Sequence, residues 1–456
     1  MATRAPLPQA SLVDQLDRLD GSRLRAYRDN LAFYRGQQWL GSQRRRERRL
    51  VFNYAKAVID KTASYLMTGL RFVVDEEDGS SEEAQRAQRA EKALRTVADT
   101  NNLGQLDFDN EVDTAILGDG AFKVIWDPLE RRVRITAPDV QGLFAWWLGD
   151  DVARLWRVAS RYYLSDEEAV LLYGADLAAG SPAGAAAARK QHTVVEVWTN
   201  ADFELWLDGA LIEAKSNPYG FIPFVIYPNL REPKQFWGVS DIEAVRESVR
   251  ELNRALSQLS MILELSGNPV AVLENVNEAQ DIAVQPGAVW ELPERARAYL
   301  LDLLQGGGVN LHVDYVNLIY RTLHDLAESP RTSFGDNGRG LSGVALNIEL
   351  DPLLKKVQRK RLLREAALRR RNELILRLLE RYTGVSYAPY TSRVLWDPLL
   401  PVDRSRLVAD ETRLVGAGIH SRRHAADDLG IADPEREFER WREEAQLLRG
   451  EAGGDA

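Results

Sequence analysis

The feature that most constrains this chain is a glycine-rich loop set between two long segments with helical apolar spacing. Residues Thr332 to Leu346 read Thr-Ser-Phe-Gly-Asp-Asn-Gly-Arg-Gly-Leu-Ser-Gly-Val-Ala-Leu. Leu311 to Ala327 before it and Asp351 to Tyr382 after it carry apolar residues at helical spacing, and the second is strongly basic. Gly335, Gly338, Gly340 and Gly343 give the loop a backbone freedom that a packed core does not need. Such a loop is expected to be moved by its flanking helices rather than buried between them. Taken alone, a polar glycine-rich connector is usually a plain surface loop, so the rest of the chain has to decide.

At 456 residues, 45% hydrophobic and 28% charged, the chain reads as a soluble protein of two or more domains. No apolar run approaches the ~18 residues that read as a membrane span. The first residues, Met1-Ala-Thr-Arg-Ala-Pro6, lack an apolar signal core, so the chain is expected to act where it is made. Cysteine is absent, which excludes disulfides and thiolate chemistry and leaves only His and carboxylates for any metal. The net charge is −9. That argues against a tight, non-specific DNA binder, whose affinity comes from Lys and Arg neutralising phosphates. It does not exclude a protein that DNA slides past without sticking.

The pattern along the chain is α+β. Helical spacing runs through Leu12, Leu16, Leu19, Leu24, Tyr27, Leu31 and Tyr34, then through Leu50 to Leu66. Phe72 to Asp75 reads as a strand, Ser81 to Ala98 as a charged helix opened by a capping box at Ser80, and Asn110 to Leu117 as another helix. Strands are expected at Ala121–Trp126, Arg132–Thr136, Ala153–Tyr163, Thr193–Thr199 and Phe203–Leu207, with a hairpin turn at Asp208-Gly209. The Ala-, Gly- and Ser-rich stretch 174–190 reads as a mobile insertion. Ser240 is an expected N-cap, with Glu243 completing a box. Behind it Ile242, Val245, Val249, Leu252, Leu256 and Leu259 form one near-heptad stripe. Short strands are expected at Val270–Leu273 and Ala288–Leu292. After an extended piece, Ser386 to Leu400, the chain ends in two or three short helices and a tail, 451–456, expected to be disordered.

Chemistry-bearing motifs are scarce. Gly306-Gly-Gly308 lacks the Lys-Ser/Thr of a phosphate-binding loop, no nucleophile elbow occurs, and no carboxylate pair stands out. His420 and His424 are four apart with Asp427 and Asp428 following, a spacing that suits a metal on one helix face. His420, however, lies at the turn before the Ser421 cap and need not share that face. The sequence therefore assigns no catalytic residue, no metal and no cofactor.

The ordered set of motifs resembles the portal (head-to-tail connector) proteins of long-tailed, double-stranded DNA bacteriophages. It is carried by Tyr34-Arg-Gly-Gln-Gln-Trp39 with Asn53 to Lys61, and by Trp237-Gly-Val-Ser-Asp-Ile-Glu243 with its helix. Phe334-Gly335 through Ser342-Gly-Val-Ala-Leu346 adds the loop, and Gly418-Ile-His-Ser421, Asp433-Pro-Glu-Arg-Glu437 and Glu439-Arg-Trp-Arg-Glu443 complete the set. The resemblance implies a multidomain fold, with no enzymatic activity, that closes into a ring of about twelve copies. Its parts would be an N-terminal helical arm (1–29), an α/β wing (30–235), a first stem helix (236–265), a clip (266–308), a second stem helix (309–330), a tunnel loop (331–348), a long wing helix with a returning strand (349–401) and a helical crown (402–450). It also implies residence at the capsid vertex of the virion, after assembly in the host cytoplasm. The implied partners are further copies of the chain, double-stranded DNA held weakly in the channel, the terminase large subunit, a head-tail adaptor, and capsid and scaffolding proteins, but no membrane.

On this reading Ser333, Gly335, Asn337, Arg339, Leu341, Ser342, Val344 and Leu346 would face DNA, with Arg339 the one cation placed to touch its backbone and the rest small, polar or apolar. The stripe Ile242, Val245, Val249, Leu252, Leu256 and Leu259 would form the stem-helix interface. The basic clusters at Arg44, Arg45 and Arg46 and at Lys355, Lys356 and Arg359 read first as solvated faces. Subunit contacts, with acidic helices such as Ser81 to Ala98, and DNA contacts are the alternatives. A non-portal virion assembly protein and a nucleic-acid-processing enzyme with a helical clamp are the competing readings.

Overall fold

The computed structural model describes residues 16, 19–43, 48–74, 81–174, 191–267, 270–274, 295, 297–301, 308–336, 343–400, 404–431 and 434–452. They form two compact units, Met1–Leu395 and Trp396–Ala456. In the first unit, α1 (Gly21–Tyr34) and α2 (Tyr54–Leu66) lead into β1 (Leu70–Val73), α3 (Ser81–Thr100) and α4 (Leu103–Leu117). Asn53 caps α2 by accepting from the Lys56 N–H. The helix α1 runs through residue 29, so the expected arm and wing meet inside one continuous helix.

Two antiparallel sheets follow. One has the order β3 (Arg132–Thr136), β2 (Asp119–Asp127), β9 (Phe224–Pro228). The other is a five-stranded meander of β4 (Leu143–Leu148), β5 (Asp151–Leu164), β6 (His192–Trp198), β7 (Asp202–Leu207) and β8 (Ala210–Ser216). The turn at Asp208-Gly209 has positive φ at both residues (49° and 82°), as a tight two-residue hairpin requires. Strand β6 is buried at nearly every position because both of its faces are covered. One face joins the main core with Val194 and Leu205. The other packs Val195, Val197 and Trp206 against Leu16, Phe144 and Ala159.

Four strands, Arg297–Leu301 among them, and one helix escape the sequence reading. Leu143-Phe-Ala-Trp-Trp-Leu148 is apolar almost throughout and so lacks the alternation that marks a strand. Strands β8 and β9 and the short helix α5 (Asp166–Tyr173) are likewise set by their neighbours, α5 being closed by a capping box between Ser165 and Glu168.

From β9 the chain enters α6 (Asp241–Gly267), and α7 (Gly308–Leu326) returns along it. A two-stranded antiparallel ladder between β10 (Val270–Glu274) and β11 (Arg297–Leu301) lies between these helices. The expected first strand is present. Its partner is 297–301, while the expected strand 288–292 falls outside the described residues, as does 175–190. The 41-residue α8 (Gly343–Thr383) then crosses the α/β part, and β12 (Arg393–Trp396) pairs with β1.

The second unit holds α9 (Arg404–Gly416), α10 (Arg422–Asp428) and α11 (Pro434–Ala452). The helix α11 continues to Ala452, past the start of the tail expected to be disordered at 451. No helix among the described residues is long and apolar enough to cross a membrane.

Candidate functional site

The root of the α6–α7 pair is built from Trp237-Gly-Val-Ser-Asp-Ile-Glu243, and the structure gives most of these residues a physical task. The Arg23 guanidinium lies 3.7 Å over the Trp237 ring. Gly238 has no space for a side chain: a Cβ there would lie 2.4 Å from the Gly118 carbonyl oxygen and 2.9 Å from the Asn229 nitrogen. The Val239 N–H donates to the Leu230 carbonyl. The Ser240 hydroxyl donates to the Ile116 carbonyl (2.6 Å) at the end of α4 and accepts the Ile242 N–H. It therefore ties α6 to α4 as well as capping its own helix. Ile242 is fully buried.

Asp241 begins a buried chain of charges. It receives Lys360 Nζ at 2.5 Å and Lys356 Nζ at 3.5 Å, both from α8. One turn further on, Arg364 forms two bonds to Glu111 of α4, each 2.8 Å, and donates to the Asn229 carbonyl at 2.8 Å. The Asn229 side-chain oxygen accepts from both Lys360 and Arg364. Arg371, also fully buried, grips the Asp107 carboxylate. Burial alone would raise the Asp241 pKa, but Lys356 and Lys360 hold it well below the usual carboxylate range. Four cations on one face of α8 thus join the start of α6, helix α4 and the end of β9.

This overturns the solvated-face reading for half of the basic helix. Lys356 is 5% exposed and also donates to the Ala327 carbonyl (3.0 Å) at the end of α7, so it is closed to DNA and to a neighbouring subunit. Lys355 and Arg359 are exposed, and Arg359 pairs with Glu328 at 2.6 Å. The signal lay in the spacing. Positions 356, 360, 364 and 371 share a helical face, and Asp107 and Glu111 stand four apart on α4. Reading it required knowing that these two helices meet.

The stripe on α6 lies inside the subunit. Ile242, Val245, Val249 and Leu252 are buried in one core with Ile319 and Leu323 of α7 and Ala327 just beyond it, and Leu256 packs against it. Leu259 is half-buried. The interface these residues make is with α7 of the same chain. The exposed apolar face belongs instead to α7. Leu311, Tyr315, Leu318 and Thr322 follow at i, i+4, i+7 and i+11, with Leu311 72% and Leu318 60% exposed.

The glycine-rich connector is shorter than 331–348. Arg331–Phe334 forms a 3-10 turn, in which the buried Ser333 donates its hydroxyl to the Pro330 carbonyl (2.6 Å). Gly335 closes that turn with φ 89°, a left-handed conformation that glycine adopts without strain. Helix α8 starts at Gly343, which makes Val344 and Leu346 helical, Leu346 half-buried. Pro352 falls inside α8, where the sequence pattern placed the helix start. Asn337, Arg339, Leu341, Ser342 and Arg44, Arg45 and Arg46 lie outside the described residues. Of the neighbouring cations, Arg48 pairs with Glu264 (3.0 Å), and Arg49 donates to the Gly41 and Ser42 carbonyls.

Below the root, Tyr27 donates to Asp119, which also accepts the Gly238 N–H at 2.8 Å. Burial pushes the Asp119 carboxyl up to about 6, against the lowering pull of Tyr27, the Gly238 N–H and Arg23. A raised pKa means the folded state favours the protonated acid. This contribution is full below the ordinary value of 3.8 and is lost as pH rises to about 6. Asp241 has the opposite sign, and its contribution is lost only as pH falls below the ordinary range. Asp119→Asn is therefore expected to remove a stability decline of up to about 3 kcal/mol between pH 4 and 6. Urea midpoints measured across that range check it, and parallel profiles for wild type and variant would refute it.

The chain matches the family described as phage portal protein, SPP1 Gp6-like, over residues 27–447, and it belongs to that family. It is a phage portal protein, a capsid component of a family that is structural rather than enzymatic. Comparison with curated proteins gives no significant match.

Proposed function

We propose that copies of this chain join head to tail into a ring of about twelve subunits, with the α6–α7 pairs as its stem. The DNA passes through the ring during packaging and ejection. The observation that carries the reading is the apolar face of α7, since Leu311, Tyr315 and Leu318 stand exposed on a helix whose other side buries Ile319 and Leu323 in the core. A soluble chain leaves such a stripe bare only where another surface covers it. The segment 335–342 forms the constriction that touches DNA, and the ladder of β10 and β11 is the docking point for the terminase large subunit and later for a head-tail adaptor. The buried charges on α8 hold the stem root rigid. The segment 402–450 forms the crown, and capsid and scaffolding proteins contact the ring during head assembly.

Native mass and negative-stain imaging test the assembly. A central-channel particle near twelve times 51.4 kDa is expected. Deletion of Asp336 to Leu341 is expected to leave that ring intact and to impair DNA packaging or retention. Normal packaging and retention by the deleted protein would overturn the assignment of the constriction.

A further inference from the structure

We propose that the C-terminal unit carries a divalent transition-metal site, of the zinc type, formed by His420, His424 and Asp428 and oriented by Glu411. His420, His424 and Asp428 each offer a ligand atom, and the three atoms lie within 4.8 Å of one another, the sole such group among the described residues. His420 precedes the Ser421 cap, yet the turn at Gly418 (φ 71°) folds its ring back over α10. The two imidazoles meet edge to face with centroids 4.4 Å apart. His424 Nε2 is 3.5 Å from Asp428 Oδ2, close to the separation of two ligands on one tetrahedral zinc.

The argument does not rest on proximity alone. His420 Nδ1 lies 2.9 Å from the Glu411 carboxylate, and Glu411 is a buried side chain of α9. A carboxylate only accepts, so Nδ1 carries the proton, and in that tautomer the lone pair is left on Nε2 for a metal. A carboxylate that fixes the tautomer of a ligating histidine is the usual support of protein zinc sites. The neighbouring cations are drawn aside, as the Arg422 guanidinium stacks 3.9 Å over Trp441 and that of Arg423 4.5 Å over Phe438, both on α11. Two imidazoles and one carboxylate select zinc or a neighbour in its series over magnesium or calcium. The fourth position is left to water or to a group from another chain. Bound there, the metal pins the turn 417–421 to α10 and, through Glu411, to α9, in a unit that buries little apolar surface of its own.

The experiment uses the full-length chain without a histidine tag, stripped with chelator and titrated with Zn2+ against a chromophoric chelator, with Co2+ substitution as a spectroscopic check. One equivalent per chain is expected, with a d–d band of tetrahedral cobalt and a rise in the melting temperature of the chain. His424→Ala and Asp428→Asn, both at exposed side chains, are expected to lose the equivalent while keeping the helical circular dichroism. Glu411→Gln is expected to retain the site with affinity lowered about 10- to 100-fold. No binding by the wild type, or equal binding by wild type and His424→Ala, would overturn the proposal. Uptake that Glu411→Gln leaves unchanged would remove Glu411 from it.

Discussion

Arg364→Ala is expected to destabilise the chain by about 3–5 kcal/mol, the cost of leaving a buried charge without its partner. Arg364 and Glu111 are both almost completely inaccessible, and their two 2.8 Å bonds account for both carboxylate oxygens. Alanine would leave that carboxylate with only Lys360, 3.9 Å away and already held by Asp241, and leave the Asn229 carbonyl short of a donor. Removing both partners together, as Glu111→Gln with Arg364→Met, should cost clearly less than the sum of the two single changes, because no isolated charge remains. Denaturant midpoints of the two single variants, the double variant and an exposed control, Lys355→Ala, measure this. The control is expected to stay within about 0.5 kcal/mol of wild type. If Arg364→Ala is no more costly than Lys355→Ala, the network does not hold the stem root.

Leu311→Asp combined with Leu318→Asp is expected to abolish the ring while leaving the subunit folded. Both side chains are mostly exposed, so the monomer loses little by the change beyond some helix propensity. In a ring each leucine covered by a neighbour contributes about 1.5–3 kcal/mol, so losing two weakens every interface by roughly a hundredfold or more. Buried charges would add to that loss. Native mass of the double variant reads the result directly. Rings that persist at wild-type concentration would place the subunit interface elsewhere. A similar pair of changes at Val249 and Leu252 would unfold the subunit instead, since those side chains are closed off inside it.

The contrast between these two helices shows what kind of information a single sequence holds. Both stripes, on α6 and on α7, are legible as amphipathic spacing. Periodicity says that a face is apolar and is silent about what covers it. The α6 stripe is satisfied within the chain and the α7 face is not, a distinction that depends on how α7 returns along α6. The same holds for α8. Its length, its basic character and its apolar positions follow from local composition. Which of its cations are buried depends on Asp107, Glu111 and Asp241, from two other helices distant in sequence.

By itself the sequence determined the α+β class, the helix pair with its glycine-rich connector, most strands, the hairpin at Asp208-Gly209 and the order of motifs that resembles the portal family. These are local properties, written in spacing, capping residues and turn chemistry. Tertiary structure alone decided the rest. It covered Leu143 on one face and Phe144 on the other and so made a strand of a segment with no alternation. It turned Lys356 inward to a carboxylate and a carbonyl, and folded the His420 ring onto His424 across a helix cap. Each of these depends on contacts between residues far apart in sequence or across a turn, where no local pattern records which charge or ring will lie opposite.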